Sequence, residues 1–295
     1  MAFQFKRKEP VAGAVRRLCR RRLKAALKNL EDRNRVKAVH NVRREIKKLR
    51  AILWLVRGEI GKGAYRRSVN TLRTAADRLT PVRDAHIRLK AFEALTAQYK
   101  RRVPARPFPE IKRALRRNCR AAERKYFKNN STGKLKRILR KAGRQAGGLK
   151  IKSDGWAAIA PGLEKGYRRG RTVLAMIRVV PTPEHFHDWR KRVKELWHQV
   201  CLLRPMRPKE LGAAADELER LGELLGDDHD LFMLKEFIAD RFKGGKVAGG
   251  LGELIRTRQQ ELRPAALELG ARCYGEDPDV FRRRLGNYWH RWRRE

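Results

Sequence analysis

Acidic residues are scarce in this sequence. The 32 Asp and Glu residues stand against 74 Lys and Arg, which leaves a net charge of +42 over 295 residues. Such a chain repels itself, and a polyanionic partner would relieve that repulsion. The imbalance therefore predicts an acidic polymer or an anionic surface as partner. The hydrophobic content of 41% is still enough for a buried core, which excludes a disordered basic tail.

Cysteines are few, and long apolar runs are lacking. Cys19, Cys119, Cys201 and Cys273 lie far apart and form no C-x-x-C pair, so their spacing indicates neither a zinc site nor a redox pair. Long-range disulfides stay open, although a reducing cytoplasm is the simpler interpretation. The N-terminus has no apolar stretch of about 7 to 15 residues, and no segment approaches the roughly 18 apolar residues of a membrane span. We expect a soluble cytoplasmic protein.

Strand patterns are missing as well. Apolar residues recur every three or four positions in segments rich in Leu, Ala, Arg, Lys and Glu, and clusters of Pro and Gly interrupt these segments. The pattern predicts an all-α protein with about five or six helices in each half. Breaks are predicted near residues 58–63, 80–81, 104–109, 129–133, 145–162, 204–208 and 243–252.

Two stretches occur twice, in the same order. VHNVRREIKKLR (39–50) returns as FHDWRKRVKELW (186–197), and RLTPVRDAHIRLKAFEAL (78–95) aligns with LLGDDHDLFMLKEFI (224–238). The second alignment places Asp84 on Asp230, and Thr80-Pro81 on Gly226-Asp227 at a predicted helix break. We infer a duplicated helical unit within one domain, 1–295, whose halves cover 10–144 and 155–293 and join through a Gly-rich junction at 145–162.

The first repeated stretch has two opposite faces when it is drawn as a helix at about 100° per residue. One arc is apolar in both copies and holds Val39, Val42, Ile46, Leu49 and Leu53 in the first and Phe186, Trp189, Val193, Leu196 and Val200 in the second. The other arc is basic and holds His40, Arg43, Arg44, Lys47 and Arg50 in the first copy and His187, Arg190, Lys191, Lys194 and His198 in the second.

A solvated helix face is the simplest explanation of such a charge run. The flanking positions argue against it, because Glu45 becomes Arg192 and Lys48 becomes Glu195 while the central basic positions keep their sign. From His40 to Arg50 the cations span roughly 15 Å of helix, a linear array that suits a linear polyanion. Arg offers bidentate donors to phosphate, Lys a point charge, and His a donor of adjustable charge.

These motifs resemble the CHAD domain family. The resemblance rests on H-x-x-R-[RK]-x-[IV]-K-x-L in both halves, on LTPVRD and LGDDHD, and on GYRRGR at 166–171. It implies two four-helix bundles related by a pseudo-twofold axis, a basic central surface or pore, and binding of inorganic polyphosphate, often at polyphosphate granules. The implied binding residues are His40, Arg43, Arg44, Lys47, Arg168, Arg169, His187, Arg190, Lys191 and Lys194.

The sequence departs from the family pattern at three places. Asn41 stands where the second copy has Asp188, Arg50 stands where it has Trp197, and His229 precedes Asp230 where the family often has Asn. These departures predict that the two half-sites differ.

Other functions find less support in the residues. Nucleic acid is the alternative partner, because a basic surface binds it non-specifically, although specific readers usually add exposed aromatic platforms. No phosphate-binding G-x-x-x-x-G-K-[ST] loop occurs, and the E-x-E-x-K pattern of triphosphate-tunnel enzymes fails because Leu221 follows Glu217 and Glu219. We therefore predict a protein that is not an enzyme and needs no cofactor.

The acidic stretch GDDHD (226–230) resembles a metal cluster only superficially. Adjacent residues on one turn point in different directions, and the first copy retains only Asp84, so an acidic helix start without a metal is the preferred interpretation. Asp84 and Asp230 are predicted to pair with an Arg or His of the basic helices. Residues 101–150, with 18 Lys or Arg, are predicted to form an outer basic surface.

Overall fold

The computed structural model describes residues 3–102, 108–128, 131–242 and 246–295. These residues are almost entirely α-helical and contain no strand. The helices of the first half are α1 (Val11–Asn29), α2 (Arg35–Leu55), α3 (Lys62–Gln98), α4 (Pro109–Lys128) and α5 (Ser131–Gly147). Those of the second half are α6 (Gly155–Val179), α7 (Pro183–Leu203), α8 (Pro208–Arg241), α9 (Lys246–Cys273) and α10 (Pro278–Arg294). The all-α prediction is confirmed.

Local sequence explains where the two motif helices begin. The side chain of Asn34 caps α2 by accepting a hydrogen bond from the backbone N–H of Lys37 at 3.0 Å. The hydroxyl of Thr182 caps α7 in the same way and accepts from the N–H of His185 at 3.2 Å, followed by Pro183 at the first helical position. All ten residues of the predicted apolar arcs are buried, so the basic arcs of both helices face away from the core.

Most of the helix packing in the first half recurs in the second half. In the first half α1 packs on α2, α2 on α3, α3 on α4 and α1 on α5; in the second half α6 packs on α7, α7 on α8, α8 on α9 and α6 on α10. Between the halves, α2 contacts α7 and α3 contacts α8. In the first half α3 also packs on α5, and no comparable contact joins α8 to α10 among the described residues, so the two halves are similar but not identical. The contacts between the halves bring the two basic stretches together.

Two buried cores hold these helices, and each contains residues from both halves. The larger core joins α1, α2, α5, α6, α7 and α10 with the N-terminal parts of α3 and α8, and it includes Tyr126 of α4 and Ala266 and Leu269 of α9. The smaller core joins α4 and α9 with the C-terminal parts of α3 and α8. The long helices α3 and α8 therefore run through both cores.

The predicted helix breaks at 80–81 and at 226–227 are wrong. Helix α3 continues through Pro81, and α8 continues through Gly226 and the whole GDDHD stretch. Leu79 and Val82 are buried on either side of the break position in α3, and Leu225 and Leu231 are buried in α8. The burial of these regularly spaced side chains outweighs the one backbone hydrogen bond that a proline removes. The acidic stretch is consequently not a helix start.

Of the other predicted helix breaks, two occur as predicted and one is shorter than predicted. Helices end and restart around 58–63, and a 3₁₀ turn at Arg204–Met206 separates α7 from α8, as predicted. The junction is shorter than 145–162, because α6 already begins at Gly155 and contains Pro161. Helix α9 begins at Lys246 and includes much of 243–252. Parts of the breaks at 104–109, 129–133 and 243–252 lie outside the described residues.

The thiols and the apolar content of the helices bear on two further predictions. All four cysteines are free thiols, so no disulfide links the halves. Within the part of the chain that the structure describes, none of the helices combines the length and the apolar character needed to cross a lipid bilayer.

Candidate anion-binding site

The cations of the two motif helices converge where α2 meets α7. Arg190 and Lys194 of α7 lie close enough to Lys47 of α2 for their charges to lower its pKa. Arg43 of α2 and Arg83 of α3 act on Lys47 in the same way. We call these five residues the central cluster: Arg43, Lys47, Arg83, Arg190 and Lys194.

Small or polar groups on α3 and α8 position the cations of the central cluster. Nη1 of Arg43 donates to the backbone oxygen of Ala76 at 2.6 Å and to Oγ1 of Thr80 at 2.8 Å. In the second half Arg190 lies against Gly226, where an added Cβ would come within 3.6 Å of its Nε. Lys194 crosses Gly222 so closely that a Cβ there would meet its Cε at 2.7 Å. A side chain at position 222 would therefore displace Lys194, whereas one at position 226 would only come into van der Waals contact with Arg190.

The lowered pKa of Lys47 shows that few anions neutralise the central cluster. Lys47 lines the cavity between α2 and α7, and its side chain is in part accessible to solvent while helix atoms crowd around it. Burial, followed by the charges of the neighbouring cations, lowers the pKa of its ammonium group to about 7. Burial and Arg190 also lower the pKa of Lys194, whose Nζ lies 4.7 Å from the ring centre of Trp197. A bound anion would stabilise both charges.

The cavity between α2 and α7 has a volume of about 210 Å³ and is mostly basic. Its acidic residues are Asp188 and Glu195, and Ala51 and His198 complete the lining. Six cations line it: Lys47, Arg50, Arg190, Lys191, Arg192 and Lys194.

Two histidines stack beside the central cluster. The rings of His187 on α7 and His229 on α8 lie 4.1 Å apart between centroids with an interplanar angle of 30°. Burial lowers the pKa of His187 to about 4 and that of His229 to about 3, and nearby cations add to both shifts. Burial followed by Lys47 also lowers the pKa of His40, which is exposed on α2. All three imidazoles are therefore predominantly neutral at pH 7.

His198 does not lie on an exposed basic face as its position on the helix predicts. It is only 3% exposed, because Phe3 of the N-terminal segment covers it at a ring distance of 6.1 Å and Trp197 lies 4.6 Å away. Burial lowers its pKa to about 3. A neutral imidazole in this environment can line the cavity floor but contributes no positive charge at neutral pH.

Sequence analysis missed Arg83 and His229 beside the central cluster, as well as Arg192 and Glu195 in the lining of the cavity. Nη1 of Arg83 donates to Oδ1 of Asp84 at 2.8 Å, and its Nη2 lies 3.9 Å from Oδ1 of Asp230. The direct partner of Asp84 is thus a neighbour on its own helix rather than a residue of α2 or α7. Alignment of the second repeated stretch places Arg83 opposite His229. A basic residue at this position in both halves was the signal from which both site residues could have been predicted.

The residues of GYRRGR separate in space. Arg168 is exposed and pairs with Glu164 at 2.6 Å and Asp279 at 3.7 Å, so it is engaged away from the central cluster. The guanidinium of Arg169 instead lies 4.6 Å from the ring centre of Trp54 on α2. Of the remaining predicted residues, Arg44, Arg50 and Lys191 are exposed on the basic faces of α2 and α7.

The sign changes beside the basic positions have a structural explanation. Nζ of Lys48 lies 3.4 Å from Oε1 of Glu45, and Nη1 of Arg192 lies 3.9 Å from Oε2 of Glu195. Each of the two aligned stretches therefore has one acid and one base three residues apart, in opposite order. Glu45 is 3% exposed and also pairs with Arg22. The flanks are thus compensated pairs rather than freely variable surface.

Within the described residues, no group of His, Cys, Asp and Glu has an arrangement that could hold a metal ion. In the GDDHD stretch, buried Asp228 accepts hydrogen bonds from Nε2 of Gln259 at 3.0 Å and Nε of Arg263 at 2.8 Å. These contacts tie α8 to α9 and give Asp228 a role in packing.

Comparisons with known proteins agree with this architecture. The structure resembles that of PptA from Streptomyces chartreusis, with a TM-score of 0.67 and 16% sequence identity over 91% of this chain and 100% of that one. It resembles the crystal structure of the CHAD domain from the plant Ricinus communis, with a TM-score of 0.65 and 16% identity over 93% of this chain and 95% of the other. No curated protein matches the sequence. The family model of the CHAD domain matches residues 14–239, and the chain therefore belongs to the CHAD domain family.

Proposed function

We propose that this protein binds inorganic polyphosphate at the central cluster and the adjoining cavity, without catalysing a reaction. The observation that carries the proposal is the convergence of cations from both motif helices on one cavity that few acids neutralise. Membership of the CHAD domain family supports the same ligand. We also expect the protein to associate with polyphosphate granules in the cytoplasm.

Polyphosphate fits the cavity better than nucleic acid does. A cavity of about 210 Å³ admits phosphate groups of a thin chain, whereas it is too small for a duplex groove contact. None of the six tryptophans, all within the described residues, is exposed as a stacking platform for bases. Non-specific RNA binding to the outer basic surface stays the alternative.

Competition between two polyanions tests the proposal. Long-chain polyphosphate is titrated into the protein in the presence of RNA at equal phosphate concentration and moderate salt, and we expect polyphosphate to displace the RNA. Both affinities should fall as salt rises, so salt dependence alone does not separate the two ligands. Stronger binding of RNA would replace polyphosphate by nucleic acid as the proposed partner.

Polyphosphate binding is expected to take up protons. The pKa of His187 is about 4 and that of Lys47 about 7 in the free protein, and a polyanion in contact would raise both. By linkage, the affinity for polyphosphate rises as the pH falls from the pKa of each group in the complex to its pKa in the free protein. Outside that range the affinity does not change with pH. Calorimetry near pH 6.5 in two buffers of different ionisation enthalpy measures the uptake.

The substitution His187→Gln should reduce the proton uptake, and His40→Gln with His187→Gln should reduce it further. His290→Gln serves as a control, because His290 is exposed on α10, outside the basic faces of α2 and α7. Uptake that is unchanged in the double variant would assign these histidines a structural role.

A further inference from the structure

A second group of cations lies around the C-terminal end of α2, and two of its members, Arg50 and Arg192, also line the cavity. Nη1 of Arg192 approaches Oε2 of Glu195, and the guanidinium groups of Arg57 and Arg169 lie 4.2 Å and 4.6 Å from the ring centre of Trp54. All of these charges lie close enough to Glu195 to affect its pKa. We call the group the arginine cluster: Arg50, Arg57, Arg169 and Arg192.

Close packing of α6 on α2 fixes the position of this cluster. Nε1 of Trp54 donates to the backbone oxygen of Gly162 at 3.0 Å. At Gly166 an added Cβ would lie 3.3 Å from the same Nε1 atom. The indole ring is therefore held in place, and it orients Arg57 and Arg169 through cation–π contacts. Fixed guanidinium groups are suited to binding phosphate because little side-chain entropy is lost on binding.

Glu195 is an unusual member of this environment. Its Oε1 atom is buried and has no hydrogen-bond partner among the described residues, although four arginines surround the side chain. Its counterpart within the duplicated ion pair, Glu45, contacts two cations, at 3.2 Å from Arg22 and 3.4 Å from Lys48. Glu195 has only the long contact to Arg192 at 3.9 Å. Most N–H groups of the arginine cluster therefore donate no hydrogen bond to Glu195.

We propose that the arginine cluster is a second phosphate subsite and that Glu195 is its built-in counter-anion, which polyphosphate outcompetes on binding. The inference rests on the proposed function. In the free protein the carboxylate of Glu195 partly neutralises the cluster. A phosphate group placed among the arginines would repel that carboxylate, and the repulsion is relieved when the carboxylate takes up a proton and becomes neutral.

The balance of charge around Glu195 supports such an exchange. Burial raises the pKa of Glu195 to about 7, and the arginine cluster opposes this rise. On its own helix, Asp188 hydrogen-bonds Arg192 at 2.8 Å, and Lys191 lines the same cavity. From other elements come Tyr65 of α3 and Tyr274, which follows α9; burial raises the pKa of both phenols, and the nearby Glu195 charge adds to the rise. Glu195 is thus the acid in this environment that a nearby anion converts to its neutral form close to pH 7.

The substitution Glu195→Gln tests the inference, because it removes the charge and keeps the shape. At pH 8 the variant should bind long-chain polyphosphate about tenfold more tightly than the native protein, since one repulsive charge is removed from a poorly hydrated cavity. At pH 6 native Glu195 is already mostly protonated, so the two affinities should converge. Lys47 and the histidines titrate in both proteins and leave this ratio largely unaffected.

The matched control is Glu236→Gln, which removes the same charge from an exposed position on α8. It should change the affinity by less than about twofold at both pH values, because an exposed charge is screened. Carbon-13 NMR of the glutamate carboxyl groups gives a second measurement on the native protein. The resonance that Glu195→Gln removes should titrate near pH 7 and shift to higher pH with polyphosphate.

Four results are decisive. Equal or weaker binding by Glu195→Gln at pH 8, or a carboxyl titration that polyphosphate does not move, would overturn the role of Glu195 and leave the proposed function standing. Absence of polyphosphate binding by the native protein would overturn both. Tighter binding at pH 8 that disappears at pH 6 supports the counter-anion.

Discussion

Replacing Lys47 and Lys194 together by glutamine is expected to weaken polyphosphate binding by about a hundredfold. Each ammonium group lies in the cavity between α2 and α7, where burial and neighbouring cations lower its pKa. A charge-assisted contact to phosphate in such a place contributes about 1.5 kcal/mol or more, and about 1.4 kcal/mol corresponds to a tenfold change in affinity. Titration of both proteins with long-chain polyphosphate at pH 6.5, where Lys47 is mostly charged, measures the loss.

The matched control removes two cations from the outer basic surface, Arg116→Gln on α4 and Arg137→Gln on α5. Both side chains are exposed, so their charges are solvated and screened. We expect a loss of about threefold or less. Comparable losses in the two double variants would mean that net charge, rather than the central cluster, determines binding. Helical circular dichroism should be unchanged in both, because none of the four side chains belongs to a buried core.

Gly162→Ala is expected to lower the free energy of unfolding by about 3 kcal/mol or more. A Cβ atom at Gly162 would lie only 2.0 Å from the backbone oxygen of Leu55. Because that atom belongs to the end of α2, the clash can be relieved only by separating α6 from α2. The same movement would disturb the hydrogen bond between Trp54 and the backbone oxygen of Gly162. Chemical denaturation followed by circular dichroism gives the size of the effect.

Gly147→Ala provides the control for this prediction. Gly147 is the last residue of α5, and nothing lies within 4 Å of a Cβ atom added there. The change should leave stability within about 0.5 kcal/mol of the native value. If Gly162→Ala were equally well tolerated, the close contact between α6 and α2 would not be a constraint on the fold.

Much of the helical architecture was predictable because it is encoded locally. The apolar arcs of α2 and α7 repeat with helical spacing, and every residue predicted there is buried. Asn34 and Thr182 cap these helices through their own side chains. The repeated H-x-x-R stretches indicated the family, and the matching family model confirms it. These features depend on neighbours within a few turns of the same helix.

Proline and glycine were the less reliable signals. Pro81 and Gly226 predicted helix breaks, yet α3 and α8 continue through both positions. The cost of a proline is local, whereas the gain from packing a long helix against two cores is distributed over its whole length. Sequence periodicity on both sides of Pro81 was continuous, so the helix could have been predicted by giving burial more weight than the local break.

The sequence by itself determined which faces of α2 and α7 are apolar and which are basic, and that the basic pattern occurs twice. Only the tertiary structure decided which charges meet. It buried His198 beneath Phe3, brought Arg83 to Lys47, and left Glu195 among arginines from α2, α6 and α7. The physical reason is that hydration and pKa depend on atoms contributed by other helices, more than a hundred residues away for Glu195 and Arg50. Helical periodicity carries no information about those neighbours.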